Sequence, residues 1–248
     1  MNDRLKISVI TVCYNAAESI EETILSVINQ TYSNLEYIII DGGSTDSTVD
    51  IIKKYANRIA YWISEPDKGI YDAMNKGIAV ATGDYINFMN SGDRFSCNLV
   101  LRKIQEFIDP ERMDIIFGDH YSVNNNNVKY CNAKKIRLLN RGMPFCHQAA
   151  FTRLSYHKSN PFDISFKIYA DRVFFRKALL EDNRQFFYTN TPICYFDCSS
   201  GMSHDNINSL YKERYRYWGI ENSRIKKLPY ELIRLGVLLK KKIISWRY

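Results

Sequence analysis

Five short apolar runs alternate with stretches of helical spacing through the first half of this chain, and that alternation narrows the fold more than any other feature. The runs occupy 7–13, 35–40, 59–64, 85–89 and 114–117 and are rich in Ile, Val, Tyr and Phe. Runs this short and continuously apolar suit parallel strands covered on both faces. Between them Ile20, Ile24, Val27 and Ile28 recur at helical offsets, as do Val49, Ile52 and Tyr55. Ala73, Gly77, Ile78 and Ala81 make a small-residue helix face, and Val100, Ile104, Phe107 and Ile108 a fourth helix for which Ser96 is the expected cap. Strand–helix–strand units close with right-handed crossovers, so the expected class is α/β: a central, mostly parallel sheet flanked by helices.

After Gly118 the pattern loosens. Strands are expected at 119–123 and 128–132 around a run of four Asn, a helix at 170–181 and a strand at 185–188. A polar loop over 199–205 leads into helical segments at 206–223 and 230–246, separated by a break at Pro229. The expected division is one large domain over 1–205 and a helical, basic extension over 206–248.

Charge supports that division. The chain carries 34 Lys+Arg against 27 Asp+Glu, a net of +7. Residues 212–248 hold 11 Lys+Arg and 3 Asp+Glu, which leaves the preceding body at −1. A nucleic-acid binder would spread its excess over a groove in the body, so no nucleic-acid partner is expected. The tail has three readings, of which nucleic-acid binding is the last because the body offers no basic groove. Leu232, Leu235, Leu238, Leu239 and Ile243 beside Lys240, Lys241 and Lys242 suit a helix lying on an anionic membrane surface, and they equally suit one that packs on protein. The six cysteines form no Cys-x-x-Cys pair, and no export leader or run of ~18 apolar residues is visible. Reduced thiols in the cytoplasm are therefore expected, with the inner face of the cell membrane as the peripheral alternative.

Ligand crevices of open α/β sheets lie at the carboxyl ends of the strands. Three such ends carry polar groups: Thr11-Val-Cys-Tyr-Asn15, Asp41-Gly-Gly-Ser-Thr-Asp46 and Asn90-Ser-Gly-Asp93. Read alone, Asp41 to Asp46 is as well a turn with Asp46 as helix cap. Asp93 is the metal candidate of the first half, because Mg²⁺ and Mn²⁺ take oxygen ligands and often only one or two carboxylates, although read by itself it is first a loop Asp capping the helix that starts near Ser96.

These stretches, together with Asn75-Lys-Gly77, Ala81-Thr-Gly-Asp84, Cys146-His-Gln148, Phe162-Asp163 and Lys167-Ile-Tyr-Ala-Asp171, resemble the inverting family-2 glycosyltransferases of the GT-A fold, of the bacterial surface-polysaccharide type. The resemblance covers roughly residues 5–200. It implies that Thr11, Cys13, Tyr14, Asn15 and Asp41 line the pocket for the donor nucleoside, with Asp67, Lys68, Asn75 and Ser91 as further nucleotide contacts. Asp93 would reach a Mn²⁺ or Mg²⁺ ion. Asp171 would be the general base on the acceptor hydroxyl, and His147 and Gln148 would lie on the acceptor or diphosphate side. His204, in the polar loop over 199–205 that could close over the donor, is read first as a solvated loop residue, with a phosphate or metal role on the diphosphate side as the alternative. A nucleotide-diphosphate sugar, UDP-linked by default, is the implied donor, and a saccharide or lipid-linked saccharide the implied acceptor. The chain departs from the pattern at Asn90 and Gly92, where relatives carry acids, and at Met74, where many carry Arg.

Two other functions are separable on sequence. A nucleotidyltransferase needs a Gly-rich phosphate loop after the first strand, and residues 11–17 contain no glycine. A binding module or scaffold with a degenerate sugar-nucleotide pocket and no transfer activity is kept open by the departures at Met74 and Asn90.

Overall fold

Strand β1 (Ile7–Cys13) is buried along its whole length, as a continuous apolar run requires when helices cover both faces of a sheet. The computed structural model describes residues 5–125, 127–133, 143, 145–199 and 206–245, with 236–245 as helix backbone. β1 lies between two parallel neighbours, β2 (Leu35–Asp41) and β4 (Tyr85–Phe88), and β3 (Tyr61–Ser64) adds outside β2. Helix α1 (Ile20–Ile28) buries Ile20, Ile24, Val27 and Ile28, the face its spacing predicts. Each such side chain contributes roughly 1.5–3 kcal/mol on full burial. Helix α2 (Thr48–Lys54) joins β2 to β3, and α3 (Ile70–Val80) joins β3 to β4. The small face of α3 has a steric cause, since a Cβ on Gly77 would stand 2.7 Å from Ile10 Cγ2.

The order β3-β2-β1-β4 reverses direction between β1 and β4, which makes a topological switch point. The register pairs Cys13 with Asp41 and Asp41 with Ser64, so the carboxyl ends of three strands form one ladder.

The second half departs from the sequence expectation in three ways. The strands expected at 114–117 and 119–123 are one strand, β6 (Ile115–Asn124), paired in parallel with β9 (Phe186–Asp197) through an irregularity at Phe117–Asp119. Gly118 reads as a break, yet it is a close approach, because a Cβ there would stand 2.4 Å from the Thr191 carbonyl. The strand expected at 185–188 is only the start of twelve-residue β9. Two strands have no sequence counterpart: β8 (Ala150–Arg153), antiparallel between β4 and β6, and two-residue β5 (Arg94–Phe95) on β9. β7 (Asn127–Cys131) forms a hairpin with β6. The sheet is thus parallel around β1 and mixed beyond β4.

Helix α4 (Val100–Phe107) starts four residues after Ser96, whose hydroxyl instead donates to Pro192 O, so Ser96 is not its cap. Helices α5 (Leu154–Ser159) and α6 (Ala170–Leu180) complete this unit, which runs Met1–Ser199.

The second compact unit, Ser200–Tyr248, contains α7 (Ile207–Tyr217) and α8 (Arg224–Ser245). Tyr211, Tyr215 and Ile220 form its core, with Ile207, Trp218 and Tyr230 packed against them. The break expected at Pro229 is absent, and α8 runs through it. Pro229 is the sixth residue of the helix, so its missing N–H removes one ladder bond close to the helix start.

Candidate active site

At the switch point, the loop after β4 meets the turn before β8 and the first turns of α3 and α6. Asp171 is the second residue of α6, where a carboxylate faces the positive end of the helix. Its Oδ1 accepts from Tyr71 OH at 3.1 Å and from Arg172 N–H at 2.8 Å. Its Oδ2 lies 3.3 Å from His147 Nδ1, and His147 Nε2 lies 3.1 Å from Asn90 Nδ2. Burial works to raise the Asp171 carboxyl, but the hydrogen bond and charge of His147, aided by Arg172, hold it below its ordinary value. Burial likewise opposes the imidazolium of His147, and its bond to Asp171 outweighs that and raises it. The two form a half-buried pair in which each favours the charged form of the other.

One residue along, Gln148 Nε2 donates to Asp93 Oδ2 at 2.6 Å, and Asp197 N–H donates to Asp93 Oδ1 at 2.9 Å. Burial pushes the Asp93 carboxyl up to about 7 against these bonds. Residues from four distant stretches, Tyr71, Asn90–Asp93, His147–Gln148 and Asp171, therefore form one continuous cluster. Among the described residues no three His, Cys, Asp or Glu side chains gather as a metal-holding group. The donor set is oxygen: the Asp93 carboxylate, and Asn90 Oδ1, which is buried with no partner. Few, hard oxygen donors fit Mg²⁺ or Mn²⁺ whose shell is completed by water and phosphate oxygens.

The nucleotide-side residues divide. Tyr14 is 63% exposed and lies along Gly42. Asn15 sits at φ +47, a left-handed conformation that Asn tolerates, and ties its loop to the next through Thr45 N–H and Ser44 Oγ. Asp67 leans over Gly42, where a Cβ would come within 2.5 Å of its carboxylate oxygen, so the glycine makes room for it. Lys68 is exposed beside it, and Ser91 is half-buried at the end of β4. A shallow depression bounded by Lys68, Tyr71, Asp72, Phe166 and Lys167 adjoins Tyr71.

Other expected contacts have internal duties. Thr11 is fully buried, with its hydroxyl bonded to Met89 O and Tyr37 OH. Cys13 is buried and directed at Asp41 and Ile40 O. The Asp41 carboxylate accepts from Ser44 Oγ at 2.5 Å, Ser64 Oγ at 2.6 Å, Ser44 N–H at 2.9 Å and Gly43 N–H at 3.2 Å. Burial works to raise it, and these bonds keep it below its ordinary value. A carboxylate offers about four acceptor positions, so a base or ribose reaches Asp41 only by displacing one of these donors. The Asn75 amide donates to Phe162 O and accepts from Phe162 N–H, each at 2.9 Å, so it pins the 162 segment to α3. Met74 is fully buried, so the position where relatives carry Arg faces the core. His204 lies outside the described residues.

Sequence reasoning missed Tyr71 and Asp197. Tyr71 had an available signal, standing one helical turn before Asn75 on the same helix; Asp197 had none. The cap expected at Asp46 falls one residue later, since Ser47 is the N-cap of α2; Asp46, just before it, accepts from Thr48 N–H at 3.0 Å and from Ala17 N–H.

Comparison with known proteins follows this geometry. The family model described as Glycosyl transferase family 2 matches residues 8–182. An uncharacterized glycosyltransferase of Mycobacterium tuberculosis is 34% identical over 83% of this chain and 80% of its own length. The UDP-Glc:alpha-D-GlcNAc-diphosphoundecaprenol beta-1,3-glucosyltransferase WfgD of Escherichia coli is 29% identical over 89% of this chain and 86% of its own. Among solved structures, S. aureus TarS in complex with UDP-GlcNAc superposes with a TM-score of 0.67 at 23% identity, covering 81% of this chain. This chain spans 61% of that one, and at such identity the likeness is one of fold.

Proposed function

The chain belongs to glycosyl transferase family 2 and has its GT-A-type α/β fold, and from that premise we propose that it moves a sugar from a nucleotide-diphosphate donor to a saccharide or lipid-linked saccharide with inversion at the anomeric carbon. It is a glycosyltransferase, and synthesis of bacterial surface glycan or lipid-linked sugar is the setting its relatives indicate. The observation that carries the inverting reading is the placement of Asp171. It is the carboxylate oriented by Tyr71 and His147, and His147 links it to Asn90 of the Asn90–Asp93 loop.

An acceptor hydroxyl is a poor nucleophile. A positioned carboxylate that takes its proton during attack contributes about 10²–10⁴-fold. Asp171 stays ionised because His147 holds its carboxyl low, and Tyr71 fixes the oxygen that faces away from His147. Attack comes from the face opposite the diphosphate, so one base suffices. A retaining hydrolase instead sets two carboxylates about 5 Å apart across the bond. A divalent cation held at Asp93 would supply the charge that stabilises the leaving diphosphate. Tyr14, Asn15, Asp67 and Lys68 form the nucleoside and phosphate side of this reading, and UDP is the nucleotide we assign, in keeping with the WfgD relative's name. An anionic membrane surface completes it, with α8 as the contact.

Asp171→Asn is the test. Transfer is expected to fall by about 10²-fold or more, while UDP with Mn²⁺ raises the melting temperature as in wild type. Equal loss of transfer and of UDP stabilisation would remove Asp171 from the role of base. A panel of nucleotide sugars in the same melting assay ranks the donor, because a ligand that binds the folded state stabilises it by mass action.

A further inference from the structure

Next to the site lies a pair of thiols that the transfer reaction does not use. Cys146, the residue before His147, is half-buried, and its sulfur stands 3.7 Å from that of fully buried Cys194 on β9. His120 of β6, directly across the ladder from Cys194, closes the cluster against Cys146. The remaining cysteines are differently placed. Cys13 is directed at Asp41, Cys198 at Ser122 Oγ and Val123 O, and Cys97 is exposed.

We propose that Cys146 and Cys194 form an oxidation site, a dithiol that a peroxide converts to a disulfide, and that this closure disables the adjoining transferase site. In the first step the Cys146 thiolate attacks a peroxide oxygen. The O–O bond breaks, sulfur is oxidised to a sulfenic acid, and hydroxide or an alcohol leaves. In the second, Cys194 sulfur attacks the sulfenic sulfur. An S–S bond forms, the S–O bond breaks, and the Cys194 proton departs with the hydroxyl as water. A dithiol reductant reverses the result. The attacking role falls to Cys146 because it alone of the two reaches the surface. Burial disfavours its thiolate, but the hydrogen bonds from Cys194 and His120 and the charges of His120 and His147 outweigh it and hold the thiol low. Cys194, buried and beside that charge, is raised and suits the resolving role.

The consequence for the site follows from distance. A disulfide needs about 2.05 Å between sulfurs, so the pair must close by about 1.7 Å from its present 3.7 Å. Cys146 leads directly into His147, which orients Asp171. Cys194 pairs with Phe95 on β5, two residues from Asp93, and lies three residues from Asp197, whose N–H holds Asp93. Drawing these strands together moves both halves of the site, and a 1 Å misplacement can cost about 10²-fold in rate. This last step rests on the function proposed above; the chemistry of the pair does not.

The full-length protein treated with hydrogen peroxide and mapped by mass spectrometry without reduction decides the matter. Expected is a linked pair of peptides carrying Cys146 and Cys194, two hydrogens lighter than the separate peptides, with transfer lowered about tenfold or more and recovered after dithiothreitol. Cys194→Ala and Cys194→Ser are each expected to give no linkage and no thiol-reversible loss. Absence of that linkage once Cys97 is oxidised overturns the proposal, as does full linkage with transfer unchanged. Should the untreated protein transfer no sugar, the functional reading fails while the mapping still decides the dithiol.

Discussion

Asp171 and His147 illustrate how side chains far apart in sequence set each other's chemistry. A carboxylate buried alone would rise and sit protonated at neutral pH. Paired with His147 it stays low and ionised, at the cost of some basicity. That division makes a prediction about a positioning residue. In His147→Gln the side chain that most opposes the burial of Asp171 is gone and Arg172 alone remains, so the carboxyl rises. The acidic limb of the kcat/KM profile should therefore move to higher pH, toward neutrality. A uniform loss at every pH would mean that His147 only packs. Asn75 and Thr11 teach the reverse lesson, since residue types that suit ligand contact are spent on Phe162 and on Met89. Residue type named the chemistry available, but which lone pairs were already taken was invisible before folding.

The elements of the first half were legible, because burial on both faces leaves a continuous apolar signature and helices leave a stripe. β8 and β5 were not. They are four and two residues long, and their pairing partners β4, β6 and β9 lie far away in sequence. Gly118 misled for a related reason, as a glycine required by close approach to β9 looks the same as one that ends a strand. The tail helix α8 is the element whose exposed face invites an experiment. Ile225, Leu228, Leu232 and Leu235 recur at three- and four-residue spacing and are 85%, 58%, 63% and 49% exposed. Arg224, Lys226 and Lys227 flank the start of that stripe. Such a helix binds anionic lipid through apolar insertion plus charge. Leu228→Glu with Leu232→Glu should abolish cosedimentation with phosphatidylserine-containing vesicles, while the wild type sediments at low salt and less at high salt. Equal sedimentation of both proteins would assign the stripe to protein contact.

At the scale of the whole molecule, stability should depend on pH through a residue that sequence passed over. His157 is fully buried, stacked on Phe174 at 3.9 Å and edge-on to Phe88 and Phe162, with Nδ1 unpartnered. Burial pushes its imidazole down to about 3. The unfolded chain takes up that proton near pH 6.5, so its neutral form favours folding fully above that value and progressively less below it. At about 1.4 kcal/mol per pH unit, the loss reaches about 2 kcal/mol at pH 5. In His157→Phe the unfolding free energy should flatten over that range relative to wild type. Parallel profiles would show that His157 is not buried neutral.

The sequence by itself determined the α/β class, the strand ends that carry polar groups and the isolation of positive charge in the tail, because periodicity and composition are local quantities. Only the tertiary structure decided that Tyr71, Asn90, His147 and Asp171 are one hydrogen-bonded unit, that Asp41 and Asn75 hold loops, and that Cys146 faces Cys194. Those contacts join residues up to 100 positions apart. Their existence depends on the switch-point topology and on β8 entering between β4 and β6. No local pattern encodes a distance across a sheet.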